Sequence, residues 1–364
     1  MENGSPNQED GPQKKWKWRV TRTGRVADAL REDITSGVFR SNQKLPTFDE
    51  LTLKYGVSRF TIQSVVNQLK KEGFIYGIPR SGLYVAEAPP HLNCVGLVFS
   101  TAPGKTDWPR FCALAKDAVS RLESASGYRI RTYHNVDGLN PSPESKALKG
   151  DIMQRRLAAV ITLLDATKIV ETPLFQDLQI PVYSLFSLSR QFKLPAGVST
   201  LEPSYELFVQ QSLGKFKLHG CRRLAWLSIP PIRHDQGYFE ESGFKTKPHW
   251  LLQLPRTTDD HVHAIVSLLF DQPASKRPDA LMLADENLVP GALRALADMG
   301  LKPGRDLEIV AHMNWPSHRK DLDPAISWLG YDVEEALGFA LQQIQASGEA
   351  SRGAHHRMKP RFKP

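Results

Sequence analysis

Between residues 25 and 85 apolar side chains return at helical intervals and then in short pairs. Val26, Leu30 and Ile34 recur every four residues and give one apolar helical stripe. Gly37 closes it, since glycine accepts the left-handed geometry of a helix end. Pro46 then precedes Thr47-Phe48-Asp49-Glu50. The T-x-x-E spacing is a capping box, in which hydroxyl and carboxylate each satisfy a free backbone N–H at a helix start. Gly56 breaks this second helix, Ser58 caps a third, and Ile62, Val65, Val66 and Leu69 give the third its buried stripe up to Gly73. Apolar residues around 74–77 and 83–88 predict a hairpin, with Pro79-Arg80-Ser81-Gly82 at its tip. The order is three short helices followed by a two-stranded wing.

From residue 92 the pattern changes. Short apolar runs predict strands over 92–99, 128–134, 157–164 and 180–184, then 198–201, 223–228, near 250–254, 280–284, 308–311 and near 326–329. Helical periodicity fills the intervals, over 111–123, 143–155, 204–213, 259–270, 290–299 and 333–345. Strands alternating with helices argue for parallel sheets covered on both faces. About 270 residues in this pattern divide best into two lobes. The expected class is α/β behind a helical head. A polar lead-in covers 1–18, the winged segment 19–88, a Pro-Pro linker 89–92 and the core 93–350. Within the core, one lobe spans about 93–197 plus a C-terminal crossover and the other about 198–322; a basic tail covers 351–364.

Charge sharpens this division. Residues 14–90 hold 14 Lys+Arg against 7 Asp+Glu, a local excess of +7. The first 13 residues contribute −3 and the tail +5, so that of the total of +8 only −1 is left for 91–350. A cationic head on a nearly neutral core is a local nucleic-acid signal. The lead-in Lys14-Lys15-Trp16-Lys17-Trp18-Arg19 suits either DNA backbone or packing of its tryptophans on the adjacent domain. No run of 18 apolar residues occurs, so no membrane span is expected. The start of the chain, polar and acidic, does not read as a signal peptide. Three scattered cysteines, Cys94, Cys112 and Cys221, give neither a disulfide framework nor a metal spacing, which suits a reduced cytoplasm.

The third helix presents Arg59, Phe60, Gln63, Ser64 and Asn67 on its outward face. The polar ones donate to or accept from base edges, and a helix fits the major groove, where the four base pairs are distinguishable. Arg80 on the wing would reach phosphate or the minor groove. A small three-helix core with a merely solvated polar face is the competing reading. The order of helix, glycine turn, capped helix and arginine-tipped wing favours DNA binding.

The segment resembles the N-terminal domain of the GntR family of bacterial transcription regulators. The residues that carry the resemblance are Ser36-Gly37, Lys44-Leu45-Pro46-Thr47, Glu50-Leu51, Tyr55-Gly56-Val57-Ser58-Arg59, Thr61, Leu69, Glu72-Gly73 and Gly82-Leu83-Tyr84-Val85. The resemblance implies DNA contacts at Ser58, Arg59 and Thr61 and around the wing tip at Arg80, Ser81 and Gly82, and Thr47 joins this set. Two departures stand out. The family usually has arginine where this chain has Asp49, and often another where it has Gln63, which puts the usual operator sequence in doubt.

The remainder resembles the effector-binding core of the LacI/GalR repressors, related to periplasmic sugar-binding proteins. Val95-Gly96-Leu97-Val98, Gly127-Tyr128, Ile180-Pro181-Val182 and His219-Gly220-Cys221-Arg222-Arg223-Leu224-Ala225 carry it. So do Gly237-Tyr238-Phe239, Pro278-Asp279-Ala280, Gly291–Leu296 and Leu307-Glu308-Ile309-Val310. It implies a periplasmic-binding-protein-like core of two Rossmann-like parallel sheets with a hinge and a ligand between them. In open α/β sheets ligands sit beyond the carboxyl ends of strands. The candidates there are Asp107 and Trp108, Asp165, Phe186, Arg233 and His234, Asp285, and Asn314 and Trp315. Carboxylates, amides and arginine suit sugar hydroxyls, and aromatics suit a sugar's apolar face; Trp108 and Trp315 serve equally well as core. The family usually has Arg where this chain has His234, Asn-Asp at Asp285-Glu286, and Gly-Phe/Tyr-Asp at Ala311-His312-Met313. These departures suggest an unusual ligand, or a cleft that no longer takes the standard sugars.

No G-x-S-x-G, Walker loop or G-x-G-x-x-G occurs. His261 and His263 form H-x-H on a predicted helix, where a solvated face is favoured over metal binding, and no metal or cofactor is expected. The expectation is a cytoplasmic, dimeric, sequence-specific regulator, a repressor, partnered by an operator duplex and a carbohydrate effector. The rival is a winged head fused to a catalytic or ligand-independent α/β domain.

Overall fold

The computed structural model describes residues 21–105, 108–136, 142–164, 169–170, 172, 175, 180–186, 194–229, 236–254, 258–316, 322–346 and 353–363. The chain forms two compact units, one ending at Pro90 and the other running from His91 to Pro364.

In the first unit α1 (Arg22–Thr35) is capped by the Thr21 hydroxyl, which accepts from the Gly24 N–H. Its buried stripe is Val26, Ala27, Leu30 and Ile34, as its four-residue period requires. Arg31 lies in the same face, 2% exposed, because its guanidinium is fully engaged. It donates to both oxygens of Glu72 at 2.9 Å and to Asp28 at 2.6 Å. A buried charge held this way is costly to break. Thr47 and Glu50 form the reciprocal capping box at the start of α2 (Phe48–Tyr55), and Gly56 ends it in the left-handed region at φ 61°. α3 (Arg59–Glu72) buries Ile62, Val65, Val66 and Leu69 and ends at Gly73. β1 (Ile75–Ile78) and β2 (Gly82–Val85) pair antiparallel from Ile75↔Val85 to Ile78↔Gly82; β1 lies one residue later than expected, and β2 ends three residues before the expected 88.

The one-turn helix α4 (Pro90–Asn93) straddles the boundary, and the second unit contains two sheets, each of six strands among the described residues. The first has the order β13-β7-β6-β5-β3-β4. It comprises β3 (Cys94–Val98), β4 (Arg129–Tyr133), β5 (Ala159–Leu163), β6 (Val182–Leu185), β7 (Val198–Pro203) and β13 (His355–Met358), paired parallel throughout. The second has the order β14-β12-β11-β10-β8-β9. It comprises β8 (Leu224–Ser228), β9 (Leu251–Gln253), β10 (Ala280–Leu283), β11 (Glu308–Trp315), β12 (Ile326–Asp332) and the antiparallel β14 (Arg361–Phe362). The central strands are buried on both faces, which explains why they read as apolar runs. α5 (Arg110–Ser126) and α11 (Val333–Ala346) pack on the first sheet, while α6 (Pro143–Met153) brings buried Asp151 to Arg131, Tyr133 and Arg156. α7 (Tyr205–Leu218), α8 (Gln236–Glu241), α9 (Asp259–Phe270) and α10 (Val289–Asp298) belong to the second.

Among the described residues the chain passes between lobes three times: from β7 into α7, from β12 into α11, and from β13 into β14. The basic C-terminal residues are therefore strands of the core, one in each sheet. Tyr331 binds two crossings together, its hydroxyl donating to the Ser204 carbonyl at 3.0 Å. β11 and β12 run further than their apolar runs suggest, pairing as far as Trp315↔Asp332.

Candidate nucleic-acid interface and ligand cleft

The periodicity that buries Ile62, Val65, Val66 and Leu69 turns the other side of α3 outward. Arg59, Phe60, Gln63, Ser64 and Asn67 are all exposed, Phe60 at 84%. Ser58 is the N-cap; its hydroxyl accepts from the Thr61 N–H at 3.3 Å and lies 3.0 Å from the half-buried Thr61 hydroxyl. The helix start, where backbone N–H groups face out, thus stands next to Arg59. Arg59 Nη1 donates to Asp49 Oδ1 at 2.6 Å, and its guanidinium lies 5.6 Å from the Phe48 ring centre. Gln63 Nε2 donates to Asn67 Oδ1 at 3.0 Å, one turn further on. Thr47 is occupied by its capping role: its hydroxyl and N–H both meet Glu50 Oε2, at 2.8 and 2.7 Å. Those hydrogen bonds hold the Glu50 carboxyl below its ordinary range.

At the wing tip Arg80 is exposed in the left-handed region at φ 62°, and Gly82 has φ 121°. The backbone angle is what favours glycine here, since a Cβ on Gly82 would meet only the flexible end of the Lys44 side chain, with Cε at 3.1 Å. The Ser81 and Tyr84 hydroxyls are 2.7 Å apart, and the Tyr76 and Tyr84 rings stack at 5.7 Å, which stiffens the hairpin behind Arg80. Every DNA-contact candidate lies within this one unit. Sequence reasoning treated Asp49 only as a departure; its contact with Arg59 is a tertiary fact, ten residues apart across a turn.

In the second unit the carboxyl ends of the strands carry the other set. Asp107, Asp165, Arg233 and His234 lie outside the described residues. Asp285 follows β10; its Oδ1 accepts from the Asn287 N–H and side-chain amide at 2.8 Å. Glu286, 4% exposed, accepts from Asn314 Nδ2 at 2.8 Å. Burial pushes both carboxyls up, opposed chiefly by the hydrogen bonds from Asn287 to Asp285 and from Asn314 to Glu286, and more weakly by Arg110 at the start of α5 in the other lobe. Asn314 and Trp315 were expected in a loop after residue 311. They are instead the last residues of β11, because its pairing with β12 continues past that point. Trp315 Nε1 is buried and has no hydrogen-bond partner among the described residues.

Trp108 is half-buried, 5.3 Å from Phe99 and 5.8 Å from His134, whose ring stacks on Phe99 at 4.9 Å. Phe186 is 4% exposed and sits inside the first lobe's core, 4.7 Å from Phe111. From it a chain of rings leads across the lobes: Phe186 to Tyr331 at 5.7 Å, Tyr331 to His312 at 5.7 Å, His312 to Phe208 at 5.8 Å. Burial depresses the His312 imidazole to about 4, and its Nδ1 lacks a partner among the described residues. A buried carboxyl and a partly exposed one, an amide and an indole N–H without a partner among the described residues are groups that match a polyhydroxy ligand. Glu286, Arg110 and Tyr331 were not among the candidate ligand residues read from sequence, because only the packing of elements far apart in the chain brings them there.

Among the described residues no three His, Cys, Asp or Glu side chains gather as metal ligands. Of the H-x-H pair, His263 meets Asp298 at 2.8 Å across α9 and α10, and His261 is exposed. No helix among the described residues is long and apolar enough to cross a membrane.

Residues 22–85 match the bacterial regulatory proteins, gntR family. Over 62 residues, 17% of this chain and 26% of the relative, the sequence is 37% identical to the mannosyl-D-glycerate transport/metabolism system repressor of Escherichia coli. It is 36% identical over 63 residues, 17% and 26% of the two chains, to the histidine utilization repressor of Klebsiella aerogenes. With the arabinose metabolism transcriptional repressor of Geobacillus stearothermophilus it shares 35% over 57 residues, 16% of each chain. The match spans about a quarter or less of the length of these relatives. In fold, 74% of this chain superposes on 96% of a LacI-family regulatory protein from Chloroflexus aggregans, with a TM-score of 0.57 and 18% identity. Likewise 75% of this chain superposes on 98% of a LacI-family transcriptional regulator from Lactobacillus casei with bound glucose, with a TM-score of 0.53 and 17% identity.

Proposed function

We propose that this chain, a GntR-type winged helix-turn-helix joined to a LacI-type two-lobed core, is a sequence-specific transcription regulator acting as a repressor in the cytoplasm. Its grip on DNA is set by a small carbohydrate in the cleft of the core. The observation that carries the reading is the outward face of α3. Five exposed base-reading side chains follow the Ser58 cap on a helix whose opposite side is fully buried. α3 enters a major groove, its start and Arg59 facing phosphate and guanine, and Arg80 on the wing reaches the flanking backbone. Two copies of the chain address the halves of a twofold-symmetric operator.

The core supplies the control. The cleft lies beyond the carboxyl ends of the two sheets, where Asp285, Glu286, Asn314 and Trp315 receive hydroxyl groups and Trp108 offers a ring face. Similar folds with glucose and sucrose bound, and relatives named as repressors of sugar metabolism, support that ligand class. Ligand favours one arrangement of the lobes about the three crossings and so changes the spacing of the two α3 helices.

A mobility-shift titration on the duplex upstream of its own gene tests the reading. Wild type shifts a twofold-symmetric site at moderate salt, and Arg59→Ala weakens binding by about 5- to 150-fold, the worth of one bidentate guanine contact. Equal binding by Arg59→Ala, or no shifted site, contradicts it.

A further inference from the structure

The DNA-facing surface of α3 is not uniformly cationic. Asp49, second residue of α2, places its carboxylate 2.6 Å from Arg59 Nη1, and both side chains are open, 81% and 68% exposed. An exposed ion pair of this kind adds little to stability. Its effect lies elsewhere: it fixes an acceptor-only group beside the first base-reading side chain of the recognition helix. Phe48 lies 5.6 Å beneath the guanidinium, so Arg59 is flanked by a ring on one side and an anion on another. The other reading groups are neutral: the hydrogen-bonded Gln63–Asn67 amides, Ser64, and the apolar ring of Phe60.

A carboxylate has two consequences at a groove edge. It repels phosphate, so this corner of the protein cannot serve as an unspecific backbone contact. Beyond the Arg59 guanidinium its remaining lone pairs can accept a further donor, and cytosine N4 is the base-edge donor that pairs with Asp or Glu in the major groove. With Arg59 directed to guanine O6 and N7, the neighbouring carboxylate meets the next base pair.

We propose that Asp49 is a specificity-determining residue which, coupled to Arg59, reads a cytosine adjacent to the guanine that Arg59 reads. The operator half-site then carries a G next to a C at the head of α3, where an arginine at position 49 would select a second guanine or a phosphate. This rests on the proposal that α3 enters a major groove, and the experiment separates the two.

The full chain is used to select duplexes from a randomised library, beside Asp49→Ala, the near-isosteric Asp49→Asn and Arg59→Ala. Wild type is expected to enrich one cytosine position at least about 5-fold over other bases. In Asp49→Ala that preference falls to within about twofold while the adjacent guanine preference persists. Binding to unrelated duplex tightens, and the slope of log affinity against log salt steepens by about 0.9 as Arg59 becomes free to meet phosphate. Asp49→Asn loses the cytosine preference as well, since an amide no longer offers an anionic acceptor. Unchanged selection in both variants, or loss of guanine and cytosine preference together in Asp49→Ala, overturns the proposal; the second outcome makes Asp49 only a positioning residue for Arg59. Failure of wild type to enrich any sequence, or enrichment unaffected by Arg59→Ala, defeats the groove reading itself.

Discussion

His312 shows how one side chain can carry a cost that its neighbours impose. It is 8% exposed among Phe208 and Tyr331, with an unpartnered Nδ1 among the described residues, and burial brings its imidazole from the usual 6.5 to about 4. Above pH 6.5 it is neutral folded or unfolded and indifferent to pH. As pH falls towards 4 the unfolded chain takes the proton first, and the core loses up to about 3 kcal/mol. His312→Phe, which keeps an aromatic ring in the same space but has no nitrogen to protonate, is expected to remove that loss. Denaturant unfolding at pH 7 and pH 4.5 should show a smaller drop for the variant, and equal drops would refute the assignment. The sequence marked His312 as a departure from the resembling family, but nothing in it could say that the ring is enclosed. The same holds for Glu286, which meets Asn314 across 28 positions. Arg59, Phe60 and Gln63 were legible because helical periodicity alone decides which way they face.

At the scale of elements, legibility follows the strength of the local pattern. α1, α2 and α3 carry caps, glycine stops and apolar stripes that all agree, and they form where those signals place them. β11 and β12 were read short because Met313-Asn314-Trp315 and Gly330-Tyr331-Asp332 do not continue an apolar run; their length comes from pairing with each other. That pairing has one strict demand. A Cβ on Gly330 would stand 1.6 Å from the Met313 carbonyl oxygen. Gly330→Ala is expected to cost roughly 3 kcal/mol or more, or to prevent folding of the core. Gly214 in α7 has open space within 4 Å and serves as the control. Gly214→Ala should gain up to about 1 kcal/mol through helix propensity. Thermal melts of the two variants check both signs, and a tolerated Gly330→Ala would mean that the β11–β12 register is wrong.

For the molecule as a whole, composition divided the chain into a cationic head and a nearly neutral core, but the basic C-terminal residues could be assigned to neither role from charge. In the structure β13 pairs with β7 and β14 with β12. Arg357 meets Glu206 at 3.0 Å and Arg361 meets Glu335 at 2.8 Å, so much of that charge is spent on core acids. Deleting residues 354–364 should lower the melting temperature of the core while leaving the salt dependence of DNA binding unchanged. A salt slope reduced without loss of core stability would instead assign the segment to DNA.

The central claim is coupling between cleft and groove, and it is tested most directly by the affinity for the operator duplex at fixed salt, measured by fluorescence anisotropy. The titration is run without carbohydrate and at saturation with one that raises the melting temperature of the core. The account predicts a change of at least about fivefold in DNA affinity, with the same factor in the carbohydrate's affinity when operator is present. An operator affinity identical with and without the bound carbohydrate would contradict it.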